Sequence, residues 1–147
     1  MNQGNSSENN CLILIDGHAL AYRMYFSLIR QNLRTHDGIP TWAVFGFTQI
    51  LLEIIEKWRP KLVSVLFDRP TPTFRHLDFE DYKAHRKPMP DDLRPQIDLI
   101  KDVVRAFGIP IYEKDGFEAD DLIGTIARRA VDAGHEVLIV TGNRDTL

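Results

Sequence analysis

Short apolar runs alternate with longer helical patterns along most of the chain, an order typical of proteins with a helix-covered parallel sheet. The apolar runs are CLILI, LVSVLF, IPIY and EVLIV. The second run is almost continuously apolar, which is expected of a strand with helices on both faces. Four or five helices are predicted, including those over about residues 19–34, 42–58, 91–107 and 117–134. The pattern therefore predicts an α/β fold.

The helix over residues 42–58 has apolar residues at helical spacing, and we expect it to bury Phe45, Leu52 and Ile55. Trp42 and Trp58 are expected in the core, and Pro60 ends the helix.

The 147 residues carry a net charge of -3 and fit one globular domain. A single cysteine excludes an internal disulfide and fits a reducing cytosol. We expect residues 1–10 to be a disordered leader, and no apolar run reaches the roughly 20 residues of a membrane span. The oligomeric state is not predicted.

Acidic residues follow the predicted strands. Asp16, Asp68 and Asp145 come just after strands, and Glu118, Asp120 and Asp121 open the helix after the third strand. Ligands bind outside the carboxyl ends of such strands, so these acids are expected to converge there. Taken singly, each acid has a structural alternative, because an acid at these places also caps a helix or favours its dipole.

Clustered carboxylates without Cys or His partners favour magnesium or manganese over zinc, and two such ions can hydrolyse a phosphodiester. In the group after the third strand, Glu118 and Asp121 share a helical face and Asp120 points elsewhere, so some acids are expected to act through water. A Gly-rich phosphate loop and a Gly-x-Ser-x-Gly motif are both absent from the sequence. Metal-dependent hydrolysis is the chemistry that fits best.

A string of motifs also resembles the N-terminal 5′-3′ exonuclease domain of bacterial DNA polymerase I, within the flap endonucleases of PIN-like fold. The resemblance covers about residues 11–147 and is carried by Asp16-Gly17-His18, Ala21-Tyr22-Arg23, Ala43-Val44-Phe45-Gly46-Phe47, Phe67-Asp68, Phe74-Arg75-His76, Tyr82-Lys83-Ala84-His85-Arg86, Gly116-Phe117-Glu118-Ala119-Asp120-Asp121 and Thr141-Gly142-Asn143-Arg144-Asp145. It implies a three-layer, Rossmann-like parallel sheet with helices on both faces. It also implies that the long, proline-containing segment 69–94 is a helical arch around single-stranded 5′ ends.

The implied activity is 5′-3′ exonuclease and 5′-flap cleavage of DNA in replication and repair, in the bacterial cytoplasm and nucleoid. The implied metal ligands for Mg²⁺ or Mn²⁺, two ions in the intact family domain, are Asp16, Asp68, Glu118, Asp120, Asp121, Asn143 and Asp145. The resemblance makes Asp16, Lys83 and Arg86 catalytic, and the implied substrate contacts are Arg23, Arg75, Tyr82, Lys83 and Arg86. The alternative for each of these arginines and Lys83 is an ordinary solvated side chain on the surface, with no role in substrate binding. An aromatic of the arch such as Tyr82 either stacks on bases or anchors the arch, and His18, His76 and His85 are neutral hydrogen-bonding residues or phosphate contacts.

Two departures from the family pattern affect the expected activity. Asn143 stands where the family has an aspartate, which removes one anionic ligand, although asparagine also caps helices well. Residues 1–147 also lack the family's helix-hairpin-helix-like module, a second acidic pair and the polymerase domain. The alternatives are a weak or inactive nucleic-acid-binding fragment of the same fold and, more distantly, a small PIN-type ribonuclease.

Overall fold

A computed structural model describes residues 10–68, 88–113 and 119–142. Its four strands are β1 (Cys11–Asp16), β2 (Leu62–Leu66), β3 (Ile111–Tyr112) and β4 (Glu136–Val140). They form one sheet in the order β3-β2-β1-β4, and every neighbouring pair is parallel. The predicted α/β class and the four predicted strands are confirmed.

Helices cover both faces of this sheet. Those described are α1 (Gly17–Leu28), continued by a 3₁₀ turn at Ile29–Gln31, then α2 (Trp42–Trp58), α3 (Arg94–Ala106) and α4 (Ala119–Asp132). Because side chains alternate along a strand, Ile13 and Ile15 of β1 face the core beneath α1, α2 and α3, and Leu14 faces α4. The result is the predicted three-layer arrangement, with three helices on one face and one on the other.

The first two helices show how far the predicted boundaries were correct. α1 begins two residues before the predicted start and ends at Leu28 rather than near residue 34. The 3₁₀ turn that follows it ends at Asn32, which takes a left-handed conformation with φ of 47°. A turn with Gly38 at φ of 93° leads back to α2. That helix occupies the predicted residues and ends at Trp58, where Arg59 is also left-handed with φ of 42°.

The predicted buried face of α2 was wrong. Phe45 and Leu52 are 44% and 42% exposed, whereas Phe47 and Leu51 are fully buried. Ile55 is partly buried against the core. The sequence WAVFGFTQILLEIIEKW is apolar on nearly every side, so its periodicity did not select a face. Packing against α1 and α3 selects it instead.

The two tryptophans at the ends of α2 differ in the same way. Trp42 is 2% exposed and donates its indole Nε1–H to the main-chain oxygen of Tyr25 at 3.0 Å. Trp58 is 44% exposed, with the Lys57 ammonium 5.3 Å from its ring centre, so its predicted place in the core was wrong. Trp58 is the last residue of α2, and its side chain is largely exposed to solvent.

Residues 1–9 of the predicted leader lie outside the described part of the chain. Asn10, which was included in that leader, belongs to the fold. Its main-chain oxygen accepts from Glu136 N at 3.2 Å, and its side chain pairs with His135 at 2.7 Å. Within the ranges described, no helix is long and apolar enough to cross a bilayer.

Candidate metal centre

Three of the predicted acids lie together at the carboxyl end of the sheet. Asp16 ends β1, Asp68 follows β2 by two residues, and Asp120 lies in the first turn of α4. With His18 and Tyr22 of α1 they line a cleft of about 220 Å³. The chain builds β2 and β3 on one side of β1 and then places β4 on the other, so the cleft lies near the point where the strand order reverses.

Asp16 is both a cleft acid and the N-cap of α1. Its Oδ1 accepts a hydrogen bond from Ala19 N at 3.1 Å, which confirms the capping alternative without removing the acid from the cleft. The side chain is 7% exposed. Burial, followed by a hydrogen bond and charge repulsion from Asp120 and repulsion from Asp68, raises the pKa of Asp16 from its ordinary value of 3.8 to about 7.

Asp120 therefore points toward Asp16 rather than away from the site. After burial, the neighbouring carboxyl group of Asp120 is a further cause of the raised pKa of Asp16. Asp120 lines the described cleft and Asp121 does not, and Glu118, which was predicted to share a face with Asp121, lies outside the described residues. Asp121 is partly buried, and its main-chain oxygen accepts from the Thr125 hydroxyl at 3.0 Å.

Asp68 is held at its main chain and at its carboxylate. Its amide donates to His18 Nδ1 at 3.0 Å, and its Oδ1 accepts from Ala119 N at 2.7 Å. Since an amide always donates, His18 Nδ1 carries no proton, and the 3.9 Å approach of that nitrogen to Asp68 Oδ2 is not an ion pair. The interaction between the two residues is therefore the hydrogen bond from the Asp68 amide to His18 Nδ1.

The donor set of the cleft fits a hard divalent cation. Three carboxylates face a small space, and burial together with the nearby Asp120 and Asp68 raises the pKa of Asp16 to about 7. Within residues 10–68, 88–113 and 119–142, no three acidic, His or Cys side chains are arranged to hold an ion by themselves. The chemistry of the three described acids fits a hard cation, and these acids alone do not complete a coordination site.

The remaining predicted site residues divide into two groups. Arg23 is exposed on α1, and a Cβ built on Gly142 would lie 2.9 Å from Arg23 Cβ, so this cation borders the loop after β4. The other predicted residues lie outside the described residues, and they are Arg75, Tyr82, Lys83, Arg86, Glu118, Asn143 and Asp145.

Sequence reasoning missed several contributors to the site. Tyr22 lines the cleft, and the four-residue spacing of His18 and Tyr22 on α1 was a signal for a shared face. The amide of Ala119 carries no side-chain signal. Gly142 is also required for close packing, because a Cβ there would lie 2.3 Å from the main-chain oxygen of Ala19.

Comparison with known proteins assigns this arrangement to a family. The sequence model described as the 5′-3′ exonuclease, N-terminal resolvase-like domain matches residues 11–147. The chain belongs to this family.

Relatives of this exonuclease-family chain are bacterial. It is 48% identical over 136 residues to DNA polymerase I of Chloroflexus aurantiacus, and the match covers 92% of this chain and 14% of that protein. DNA polymerase I of Geobacillus stearothermophilus is 44% identical, with 92% and 15% covered. The chain therefore spans about one seventh of the length of these relatives.

Solved structures support the same fold. A 5′-exonuclease of T5 with bound zinc matches with a TM-score of 0.65 at 19% identity, covering 92% of this chain and 50% of that one. A T5 flap endonuclease in a complex with DNA and metal ions matches with a TM-score of 0.61 at 19% identity, covering 91% and 49%. The PIN-like fold predicted from the motifs is confirmed.

Proposed function

We propose that this chain forms part of a 5′-3′ exonuclease and 5′-flap endonuclease that hydrolyses DNA phosphodiesters with Mg²⁺ or Mn²⁺. The observation that carries the proposal is the meeting of Asp16, Asp68 and Asp120 in one cleft of a chain from the 5′-3′ exonuclease family. The structures of T5 relatives with zinc, and with DNA and metal ions, support these ligand classes.

Electrostatics supports a cation in the cleft. Three acids line it, and a DNA backbone is itself anionic, so a phosphate approaches only when positive charge is placed between them. Bound divalent cations would supply an activated water and offset charge on the leaving oxygen. Asp16 and Asp120 would hold such a cation in their charged forms, and Asp68 would contribute from the end of β2.

The other predicted ligands, Glu118, Asp121, Asn143 and Asp145, complete the centre in this proposal. Lys83 and Arg86 would stabilise the phosphate, with Arg23, Arg75 and Tyr82 contacting the substrate strand. Arg23 is favoured by its exposed position beside Gly142 at the carboxyl end of the sheet. The proposed substrates are 5′ flaps, free 5′ ends and RNA primers during replication and repair.

The test is cleavage of labelled 5′-flap DNA, single-stranded DNA and RNA in magnesium, manganese or chelator. We expect metal-dependent cutting of the flap that is lost in Asp16→Asn, because the neutral amide keeps the helix cap and removes the anionic ligand. Asp98→Asn, which changes an exposed acid on α3, is the matched control and should cut normally.

Binding of flap DNA without cutting in either metal would refute the nuclease proposal for these 147 residues. That result would instead support a nucleic-acid-binding module, and Asn143→Asp would then be examined for restored cutting. Preferential cutting of RNA would support the ribonuclease alternative.

A further inference from the structure

Two hydrogen bonds connect the acid-bearing segments of the cleft. The Ala119 amide, next to Asp120 in α4, donates to the Asp68 carboxylate, and the Asp68 amide donates to His18. His18 follows Asp16 by two residues on α1. These contacts therefore place Asp68 relative to the segments that carry Asp16 and Asp120.

The imidazole of His18 connects the residue after the end of β2 to α1. Its Nδ1 accepts from the Asp68 amide at 3.0 Å, so the neutral ring carries its proton on Nε2. The side chain of His18 is 18% exposed, and the residue lines the cleft. The group that contacts Asp68 is thus an acceptor, and a side chain without an acceptor at that point would leave the amide unbonded.

Phe67 restricts where this imidazole can lie. Its fully buried ring meets the His18 ring edge to face, with centres 5.3 Å apart and planes at 81°. A Cβ on Gly17 would lie 2.5 Å from the Phe67 ring, so glycine allows α1 to approach the end of β2 this closely. Packing therefore holds the His18 acceptor in line with the Asp68 amide.

We propose that His18 is a positioning residue that fixes the main chain of Asp68 and thereby sets the separation of the metal-binding acids. This inference rests on the proposed function, because the acids it positions are the proposed ligands. His18 acts through Asp68 and needs no bond to the cation. Partners that orient metal ligands in this way typically change metal affinity or activity by about 10- to 100-fold when they are removed.

Three variants of His18 distinguish the effect of its hydrogen-bond acceptor from the effect of its side-chain volume. In His18→Asn the amide Oδ1 lies near the place of Nδ1 and can accept from Asp68, whereas His18→Gln carries its acceptor one methylene farther out, and His18→Ala has none. We expect manganese affinity, measured by calorimetry on the whole chain, to fall about tenfold in the Ala and Gln variants. The manganese affinity of the Asn variant should stay within roughly a few-fold of the parent's, because its amide oxygen can still accept the hydrogen bond from Asp68.

Two readouts do not depend on metal or cleavage. Long-range ¹H–¹⁵N spectra of the metal-free chain should show the Nε2–H form of His18, and hydrogen exchange at the Asp68 amide should accelerate in the Ala and Gln variants but not in the Asn variant. An Nδ1–H form, unchanged exchange, or equal manganese affinity in the Ala variant would overturn the role of His18. If the Ala variant does not fold, the Asn and Gln variants decide by the same comparison.

The failure of this inference is distinguishable from failure of the proposed function. A parent chain that binds no manganese and cuts no DNA refutes the metal nuclease, while the spectra and exchange rates still report on the bond from His18 to Asp68. A parent that binds and cuts beside an Ala variant that does so equally well overturns the positioning role alone.

Discussion

Replacing the buried acid of the cleft should stabilise the metal-free protein at neutral and alkaline pH. Asp16→Asn removes a carboxylate that burial and two neighbouring acids disfavour in its charged form. The amide oxygen can still accept from Ala19 N, since asparagine caps helices about as well as aspartate. The substitution therefore removes the unfavourable charge and keeps the local structure.

The size of this stability difference follows from the pKa of Asp16, which is raised from 3.8 to about 7. The folded chain binds this proton more tightly than the unfolded chain, so the stabilisation is full below about pH 4 and is lost as pH rises through 7. At about 1.4 kcal/mol per pH unit, the loss is on the order of 4 kcal/mol. Asp16→Asn should lack this decline and be the more stable protein at pH 8.

The assay is urea unfolding in chelator from pH 4 to pH 8, with Asp98→Asn as a control that should follow the parent. Adding millimolar manganese should reverse the order at pH 8, because the cation binds the parent's carboxylate and stabilises the folded state by mass action. An Asp16→Asn variant that is less stable than the parent at pH 8 in chelator would refute the reasoning, as would a parent whose stability does not fall with pH.

Two further changes test the packing. Gly142→Ala should destabilise the fold by about 1–3 kcal/mol in urea unfolding, because its Cβ would collide with the main-chain oxygen of Ala19; the control Gly124→Ala, with open space on α4, should be neutral or stabilising by up to about 1 kcal/mol. Phe47→Ala should cost about 3–5 kcal/mol and Phe45→Ala far less, since Phe47 is fully buried and Phe45 is 44% exposed. Equal losses within either pair would contradict the packing described.

The α/β class and the positions of the strands and helices were largely predictable, because local patterns of apolar residues set them. The apolar run LVSVLF predicted a strand that is covered on both faces, and β2 occupies the first five residues of that run. The buried face of α2 was not predictable, because Phe45 and Phe47 are equally apolar and only contacts with other helices distinguish them. The early end of α1, where the chain passes into a 3₁₀ turn that stops at the left-handed Asn32, is not encoded in the apolar pattern.

The meeting of three acids in the cleft was predictable, and its geometry was less so. Asp16 and Asp68 meet there because acids at strand ends converge in parallel sheets. Counting residues around α4 separates Asp120 from Asp121 but does not say which of them faces the cleft, because it does not give the rotation of the helix against the sheet. The contributions of the Ala119 amide and of the His18 acceptor arise from tertiary contacts between distant segments.

The position of β1 at the centre of the sheet has a consequence for folding. On one edge this strand pairs with β2, which is close in the sequence. On the other edge it pairs with β4, where Cys11 is the partner of Glu136. Such distant pairing is slow to form, because a long loop must close before its contacts are gained. During synthesis, that edge of β1 therefore stays open until residues 136–140 have emerged, and over that interval it is exposed to premature strand pairing.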